Sequence, residues 1–592
     1  MKYNDFTIIF SKKPINEIND SFQIRSIENG DTLITVYSNQ IDSFEVANYS
    51  IYINGNILIR DEVTYDRSTD IRNCLISLYI SYGDAFINFI EGTFIVIVFC
   101  NKTKSVRVFR DKLGGESAYY YTDPDQTIIS SRLNLLAKSL NKKIDINKKI
   151  IPSFLYHHYI ISPYTIYENI FKAKPGEMIM LNVGEVKKSI VASLVSDYFT
   201  TSRKTKITSL EAQNRVENFL QLEINSLVKG KKIGTFLSGG IDSSLVTAIA
   251  QKCSDSKVKS YTIGFMEDKY DEAIYAADIA KIIGVDHKIC YMDENLILEY
   301  INKITEIYDE PFADSSQIAT MYAYDMAAKD VDIVLGGDGG DEFFYGYEMF
   351  ESARKMQKLG WLIYPMANLI QFFRIDRKII LPPKIRIVLD LDKGKSSKSQ
   401  FYSIRKLDSI RRMVNTKNII DPRFLLEKEY KTAKWDEKLM MVHFETSLPD
   451  DMMIKVDRPA KYNGFYPISP LLAEPIIRFT HRIPLKKKYS RSVGKKAILK
   501  NILFKYVPKD LFDRPKKGFS VPLNNILRNR LWDSILELCD KTKIEKQDIF
   551  NFDNLLNELT SYKMGTGSTL QDRDVFAYYI FQKWYQKNVS DE

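Results

Sequence analysis

The run Leu237-Ser238-Gly239-Gly240-Ile241-Asp242-Ser243-Ser244 constrains this chain more than any other stretch. Lys232-Ile233-Gly234-Thr235-Phe236 precedes it, short and mostly apolar as a buried strand is, and Leu245-Val246-Thr247-Ala248-Ile249-Ala250 follows as a good helix start. The order is therefore strand, tight glycine turn, helix N-terminus. Glycines let backbone approach a ligand, and the free N–H groups of a first helical turn attract anions. Ser238 and Ser243 add hydroxyl donors, while Asp242 would repel phosphate unless a cation lay between them. The chemistry this predicts is phosphate with Mg2+. The loop lacks the Gly-Lys-Ser/Thr ending of a Walker A motif. Alone, it could also be an ordinary strand-to-helix turn, so its surroundings decide.

Those surroundings alternate. Val258 to Phe265, Asp286 to Tyr291 and Val331 to Leu335 read as strands. Ser209 to Val228, Asp271 to Ile283, Glu294 to Ile307 and Ser316 to Ala328 read as helices. Alternation predicts a parallel sheet covered on both faces, with ligands at the carboxyl ends of its strands. A second glycine loop, Gly336-Gly337-Asp338-Gly339-Gly340-Asp341-Glu342, follows a buried strand at such an end. The part beyond it is rich in helices.

Residues 1 to about 195 read mainly as β-structure, expected as stacked sheets with helices outside. Thr32 to Tyr37 and Phe94 to Phe99 are rich in β-branched and aromatic residues, and Ile71 to Tyr82 is a helical patch. Asn29-Gly30-Asp31, Asn54-Gly55-Asn56, Gly114-Gly115 and Pro175-Gly176 read as turns between strands. Thr200 to Lys206 is short, polar and charged, as a domain boundary should be.

At 592 residues the chain can bury large cores in two to four domains. The start is too polar for a secretory signal, and no apolar run suggests a membrane span. Five scattered cysteines and five histidines without metal-ligand spacing support neither a disulfide framework nor a zinc site, so a reducing cytoplasm is expected. The net charge of +9 includes Lys486-Lys487-Lys488 and Lys393-Gly394-Lys395, read as solvated surface. Without aromatic interleaving, a nucleic-acid partner is disfavoured.

Asp309-Glu310-Pro311-Phe312-Ala313-Asp314 and Leu448 to Arg458, with the two glycine loops, occur in an order that resembles the synthetase domain of the asparagine synthetase family. Arg514-Pro515-Lys516-Lys517-Gly518-Phe519 is a fifth match. Asn54-Gly55-Asn56-Ile57, Glu91-Gly92-Thr93-Phe94, Arg110 to Gly114 and Ile170 to Gly176 resemble a class II glutamine amidotransferase domain, an N-terminal-nucleophile (Ntn-hydrolase-like) fold. The resemblance implies an amidotransferase-like unit over 1–199, a linker over 200–208 and an ATP-pyrophosphatase (PP-loop) synthetase unit over 209–592. The expected fold class is thus α+β stacked sheets joined to an α/β parallel sheet with a helix-rich extension.

The same resemblance implies ATP and Mg2+. Ser238, Gly239, Gly240, Asp242 and Ser243 would hold pyrophosphate, and Asp242 with Asp341 the metal. Leu237, Ile263 and Gly337 would lie near the nucleoside, Asp338 beside the reacting carboxylate, and Lys516 against the departing pyrophosphate. Two departures stand out. Active glutaminases of this type carry cysteine after the initiator Met, where this chain has Lys2, and their acidic residue is replaced by Asn56. An ammonium cannot replace a thiolate in acyl transfer. In addition, Tyr466, Ile468 and Ala473 stand where the synthetase pattern has Glu, Arg and Asp. The sequence therefore points to a cytoplasmic amide-forming ligase with a dead glutaminase, resembling lasso-peptide macrolactam cyclases, with a precursor peptide and its leader-processing proteins as partners. An ammonia-dependent synthetase or tailoring amidotransferase, a non-catalytic ATP-binding scaffold and an RNA-modifying enzyme are the alternatives.

Overall fold

The computed structural model describes residues 5–589, apart from 12–22, 30–31, 39–41, 47, 60–70, 101, 104, 141, 183, 202–205, 229, 268–270, 356, 359–403, 431–432, 491, 515–520, 567 and 569. Three sheets organise it. The first contains β1 (Phe6–Ser11), β2 (Gln23–Asn29), β3 (Thr32–Ser38), β8 (Tyr119–Thr122), β9 (Gln126–Ser130) and β10 (Phe171–Lys172), in the order β10-β8-β9-β1-β3-β2. The second contains β4 (Asp42–Val46), β5 (Tyr49–Ile59), β6 (Ile90–Cys100), β7 (Val106–Arg110), β11 (Glu177–Asn182) and β12 (Glu185–Ile190), in the order β12-β11-β7-β6-β5-β4. All pairings in these two sheets are antiparallel.

The pattern of β6 shows why the sheets stack. Ile95, Ile97 and Phe99 pack with Phe6, Ile8 and Phe10 of the first sheet. The intervening Phe94, Val96 and Val98 face the helix Ile71–Tyr82 and its Leu75 and Tyr79. A strand apolar at every position is buried on both faces, because successive side chains alternate.

One turn reading needs correction. Asn54-Gly55-Asn56 lies inside β5, where Asn54 pairs with Ile95, Gly55 with Phe94 and Asn56 with Thr93. Gly55 takes φ +106, and a Cβ there would meet the Thr93 carbonyl oxygen at 2.3 Å. Glycine is there for close strand approach rather than for chain reversal.

The third sheet contains β13 (Ile233–Phe236), β14 (Lys259–Phe265), β15 (Asp286–Met292) and β16 (Ile333–Leu335), in the order β15-β14-β13-β16, all parallel. Of the expected helices, Ser209–Val228 precedes β13, Ala273–Ile283 joins β14 to β15, and Glu294–Ile307 and Ser316–Ala327 lie between β15 and β16. The protein thus combines stacked antiparallel sheets with a parallel α/β sheet and a helical C-terminal part. The helix Leu194–Thr201 takes in Thr200 and Thr201, which the sequence had suggested as linker, and packs on the helix Glu474–Arg482.

The halves share one core. Ile9, Tyr37, Tyr119 and Ile128 of the first sheet belong to the same buried cluster as Ile263, Phe576 and Trp584. Buried ion pairs cross the same boundary. Arg132 reaches Asp309 at 2.7 Å, Lys172 reaches Glu310 at 2.9 Å, and Lys461 reaches Glu116 at 2.5 Å. Asp450 accepts from the Ser162 N–H at 2.7 Å and its hydroxyl at 2.8 Å. Asp309, Glu310 and Asp450 thus brace the two halves against each other. Among the described residues no helix is long and apolar enough to cross a membrane.

Candidate active site

The two glycine loops meet at the carboxyl ends of β13 and β16. Gly239 has φ +71 and Gly240 caps the helix Ile241–Cys253 in extended conformation, so the chain reverses directly onto the helix N-terminus. Ser238 and Ser243 face each other at 3.0 Å between hydroxyls, and the Ser238 N–H donates to the Ser243 Oγ at 3.2 Å. These contacts close the loop on itself and leave a compact cradle of N–H and O–H groups.

The second loop rises from β16 and starts the short helix Gly340–Phe343. It touches the first loop directly: a Cβ on Gly340 would lie 2.3 Å from the Asp242 carboxyl carbon. Glu342 caps the turn by accepting from the Gly339 N–H at 3.0 Å. Burial would push the Glu342 carboxyl up, but His443 and the Tyr347 hydroxyl hold it down at about 2.

Asp242 and Asp341, one from each loop, converge on Lys496. Its Nζ bridges Asp242 Oδ2 and Asp341 Oδ1, the latter at 2.6 Å. Burial works against the ammonium, yet the two carboxylates more than offset this and raise its pKa. Lys496 caps the helix Ala497–Leu503 at φ +55, a strained conformation for a residue with a side chain. Sequence reasoning missed this residue. Gly494-Lys495-Lys496 carries no mark that separates it from the other lysine runs, and only the fold places it between two aspartates.

The residues at this point suit a divalent cation. Two carboxylates converge, and Mg2+ takes oxygen donors while leaving room for phosphate and water; a cation held by both would take the place of the Lys496 ammonium between them. Arg514 adds a second cation, with Nη2 donating to the Gly239 carbonyl at 3.1 Å and its guanidinium 3.8 Å from the Tyr275 ring centroid. Lys516 lies outside the described residues, two positions beyond this anchor.

Leu237 is wholly buried; its N–H donates to the Tyr261 carbonyl and its own carbonyl accepts from Thr262. Ile263 is buried in β14. Gly337 lies against the N–H of Ser243, which a Cβ would approach to 2.9 Å. Leu237, Ser238, Gly239, Gly240, Asp242, Ser243, Gly337 and Asp341 are therefore gathered in one place.

Asp338 stands on a second polar row. Its Oδ2 accepts from Ser469 Oγ at 2.9 Å, and burial raises its carboxyl while Lys455 opposes the rise. Lys455 Nζ donates to Asp314 Oδ2 at 2.9 Å. The altered segment Tyr466 to Ala473 frames this row. Ile468 bridges to Leu335, its carbonyl accepts from the Gly336 N–H at 2.8 Å, and Leu472 packs under Gly339. Of the substitutions noted in the sequence, Ile468 thus falls on the Asp338 loop, next to the Ser469 that bonds Asp338.

The two glycine loops, the converging carboxylates and the cations thus gather at the carboxyl edge of the parallel sheet, where open α/β sheets bind their ligands. Comparison makes this specific. The asparagine synthase family matches residues 224–586, and a glutamine amidotransferase domain matches residues 44–191. A glutamine-hydrolysing asparagine synthetase homologue, number 2 of Methanocaldococcus jannaschii, is 30% identical over 437 residues, covering 70% of this chain and 82% of that protein. Asparagine synthetase [glutamine-hydrolyzing] 1 of Bacillus subtilis is 21% identical over 573 residues, covering 92% of this chain and 87% of that protein. The chain belongs to the asparagine synthetase family and carries a glutamine amidotransferase-type domain before the synthetase region. Its activity class is that of a ligase carrying out asparagine synthetase-like, ATP-dependent amidation.

Proposed function

We propose that this chain adenylates a carboxylate with release of pyrophosphate and joins it to an amine already carried by its substrate, as a lasso-peptide-type macrolactam cyclase would. The observation that carries this reading is the convergence of Asp242 and Asp341 on Lys496 beneath the Ser238–Ser243 loop. A carboxylate oxygen would attack the α-phosphorus of ATP, breaking the bond to the bridging oxygen of the β-phosphate. The amine nitrogen would then attack the acyl carbon and expel AMP.

In this proposal Ser238, Gly239, Gly240 and Ser243 hold the pyrophosphate, while Leu237, Ile263 and Gly337 border the nucleoside. Asp242 and Asp341 hold Mg2+, which supplies neutralisation of phosphate charge when bound. Lys496 and Lys516 contribute fixed positive charge where negative charge gathers. Asp338, with Lys455 and Asp314, lies on the side where the reacting carboxylate would be oriented.

The amine is assigned to the substrate because the amidotransferase-type unit, proposed over 1–199 ahead of a 200–208 linker and a 209–592 synthetase unit, lacks a cysteine at its nucleophile position. Lys2 takes that place, and Cys74 and Cys100 are buried in a helix and a strand. Five free cysteines suit a reducing cytoplasm, where a precursor peptide and its leader-processing proteins would be the partners. An ammonia-dependent synthetase is the competing reading.

Pyrophosphate release tests both. Asp242→Ala, Lys496→Met and Lys516→Ala are each expected to lower it by about 10²–10³-fold. Near-normal release in all three sinks the assignment. Release that needs aspartate and ammonium salts, and ignores peptide carboxylates, selects the ammonia-dependent synthetase.

A further inference from the structure

A cavity of about 660 Å3 opens among Ser315, Val521, Leu523 and the helices Phe552–Met564 and Asp572–Asn588. That volume falls within the roughly 300–1,000 Å3 of ligand pockets and is generous for a single amino acid. It lies close to the polar row described above. Ser315 directly follows Asp314, the acceptor for Lys455, and Lys455 in turn interacts electrostatically with Asp338.

The lining has a definite character. Val521, Leu523 and Leu570 supply apolar surface, and the first two are buried. Asp572 is already engaged, its Oδ1 accepting from Tyr562 at 2.6 Å and from Asn524 at 2.9 Å. The two guanidiniums are not so engaged. Arg528 donates to the Lys563 carbonyl at 2.6 Å and lies 4.3 Å from the Tyr562 ring centroid, and neither it nor the exposed Arg573 forms an ion pair among the described residues. Two guanidiniums against the single Asp572 carboxylate leave the described lining net positive beside an apolar floor. Arg528 also covers the face of Tyr562, which removes a stacking platform for a nucleobase.

We infer that this cavity is a subsite for the part of the substrate remote from the reacting carboxylate: an extended peptide segment bearing a second carboxylate, seated on Val521, Leu523 and Leu570 and paired with Arg528 and Arg573. The inference rests on the proposed ligase reading only for the role of the Asp314–Lys455–Asp338 row at its edge. A free amino acid would leave the subsite empty, whereas a peptide would fill it and carry its reacting side chain past Ser315.

The test uses the full chain and fluorescent synthetic hexapeptides. Each carries one glutamate, and the second acid is either Asp or its Asn isostere at varied spacing. Binding is followed by fluorescence polarisation, and pyrophosphate release is measured in parallel. The Asp peptides are expected to bind about tenfold more tightly than the Asn peptides, the scale of one charge-assisted hydrogen bond. Arg573→Glu should abolish that preference, and Ser561→Trp, which fills the cavity, should weaken every peptide. ATP binding reports that each variant remains folded.

No peptide binding, or binding indifferent to both substitutions, overturns the subsite. Tighter capture of an oligonucleotide at the same residues overturns the peptide assignment. Peptide binding that responds to both substitutions without pyrophosphate release leaves the subsite standing and removes the ligase reading. Release from free aspartate that ignores both substitutions overturns the subsite and, where it also needs ammonium salts, selects the ammonia-dependent synthetase over the cyclase.

Discussion

Lys488 shows how far a residue's role depends on what covers it. It ends a run that reads as solvated surface, yet it is only 6% exposed and lines a small cavity with Tyr198, Tyr345, Asp436 and His481. The bland reading of Lys486-Lys487-Lys488 therefore fails at its last member, because the short helix Leu485–Lys488 turns that side chain inward. Burial pushes its ammonium down from 10.5 to about 7. Between those values the unfolded chain binds the proton and the folded chain does not, so this residue's contribution makes stability rise with pH from about 7 to 10.5. Lys488→Met should raise the unfolding midpoint at pH 7 by a few degrees and flatten that slope. Urea or thermal unfolding at several pH values checks it, and a less stable Met variant contradicts the account. Lys496 is the opposite case: equally buried, but held charged by Asp242 and Asp341.

At the scale of elements, the parallel sheet and its helices were readable because each segment repeats one signal several times. The helix Glu294–Ile307 buries Ile297, Tyr300, Ile301, Ile304 and Ile307, a spacing visible in the chain itself. Asn54-Gly55-Asn56 misled because its composition is that of a turn, and only pairing with β6 reveals a strand. The contact between the glycine loops was also hidden, since it joins residues about a hundred positions apart. It makes a sharp prediction. Gly340→Ala places a methyl group against the Asp242 carboxylate, so the loops must separate. We expect a loss of stability of about 1–3 kcal/mol and impaired ATP binding, read by urea unfolding and by titration with a fluorescent ATP analogue. A variant that binds ATP normally would show that the loops do not depend on this approach.

At the scale of the molecule, the amidotransferase-type half serves as part of the synthetase's structure. Its first sheet shares a core with Trp584, and Asp309, Asp450 and Arg458 are buried, with Glu310 half-buried, against it. Removing one member of a buried pair leaves the other charge uncompensated. Arg132→Met, which strips Asp309 of its bidentate partner and leaves it Arg458 at 3.6 Å, should cost about 1–3 kcal/mol in urea unfolding. Residues 209–592 expressed alone should be insoluble, since those groups would lie bare; a soluble, cooperatively folding fragment would refute this view. The sequence by itself determined the class of each sheet, the order of the elements and the strand–glycine turn–helix course of the first loop, because periodicity and glycine placement are local properties of the chain. Only the tertiary structure decided that Lys496 joins Asp242 to Asp341, that Ser469 and Ile468 frame Asp338, and that Asp309 and Asp450 face the other half. Those are meetings between distant residues, and electrostatic pairing of that kind leaves no trace in the spacing of either partner.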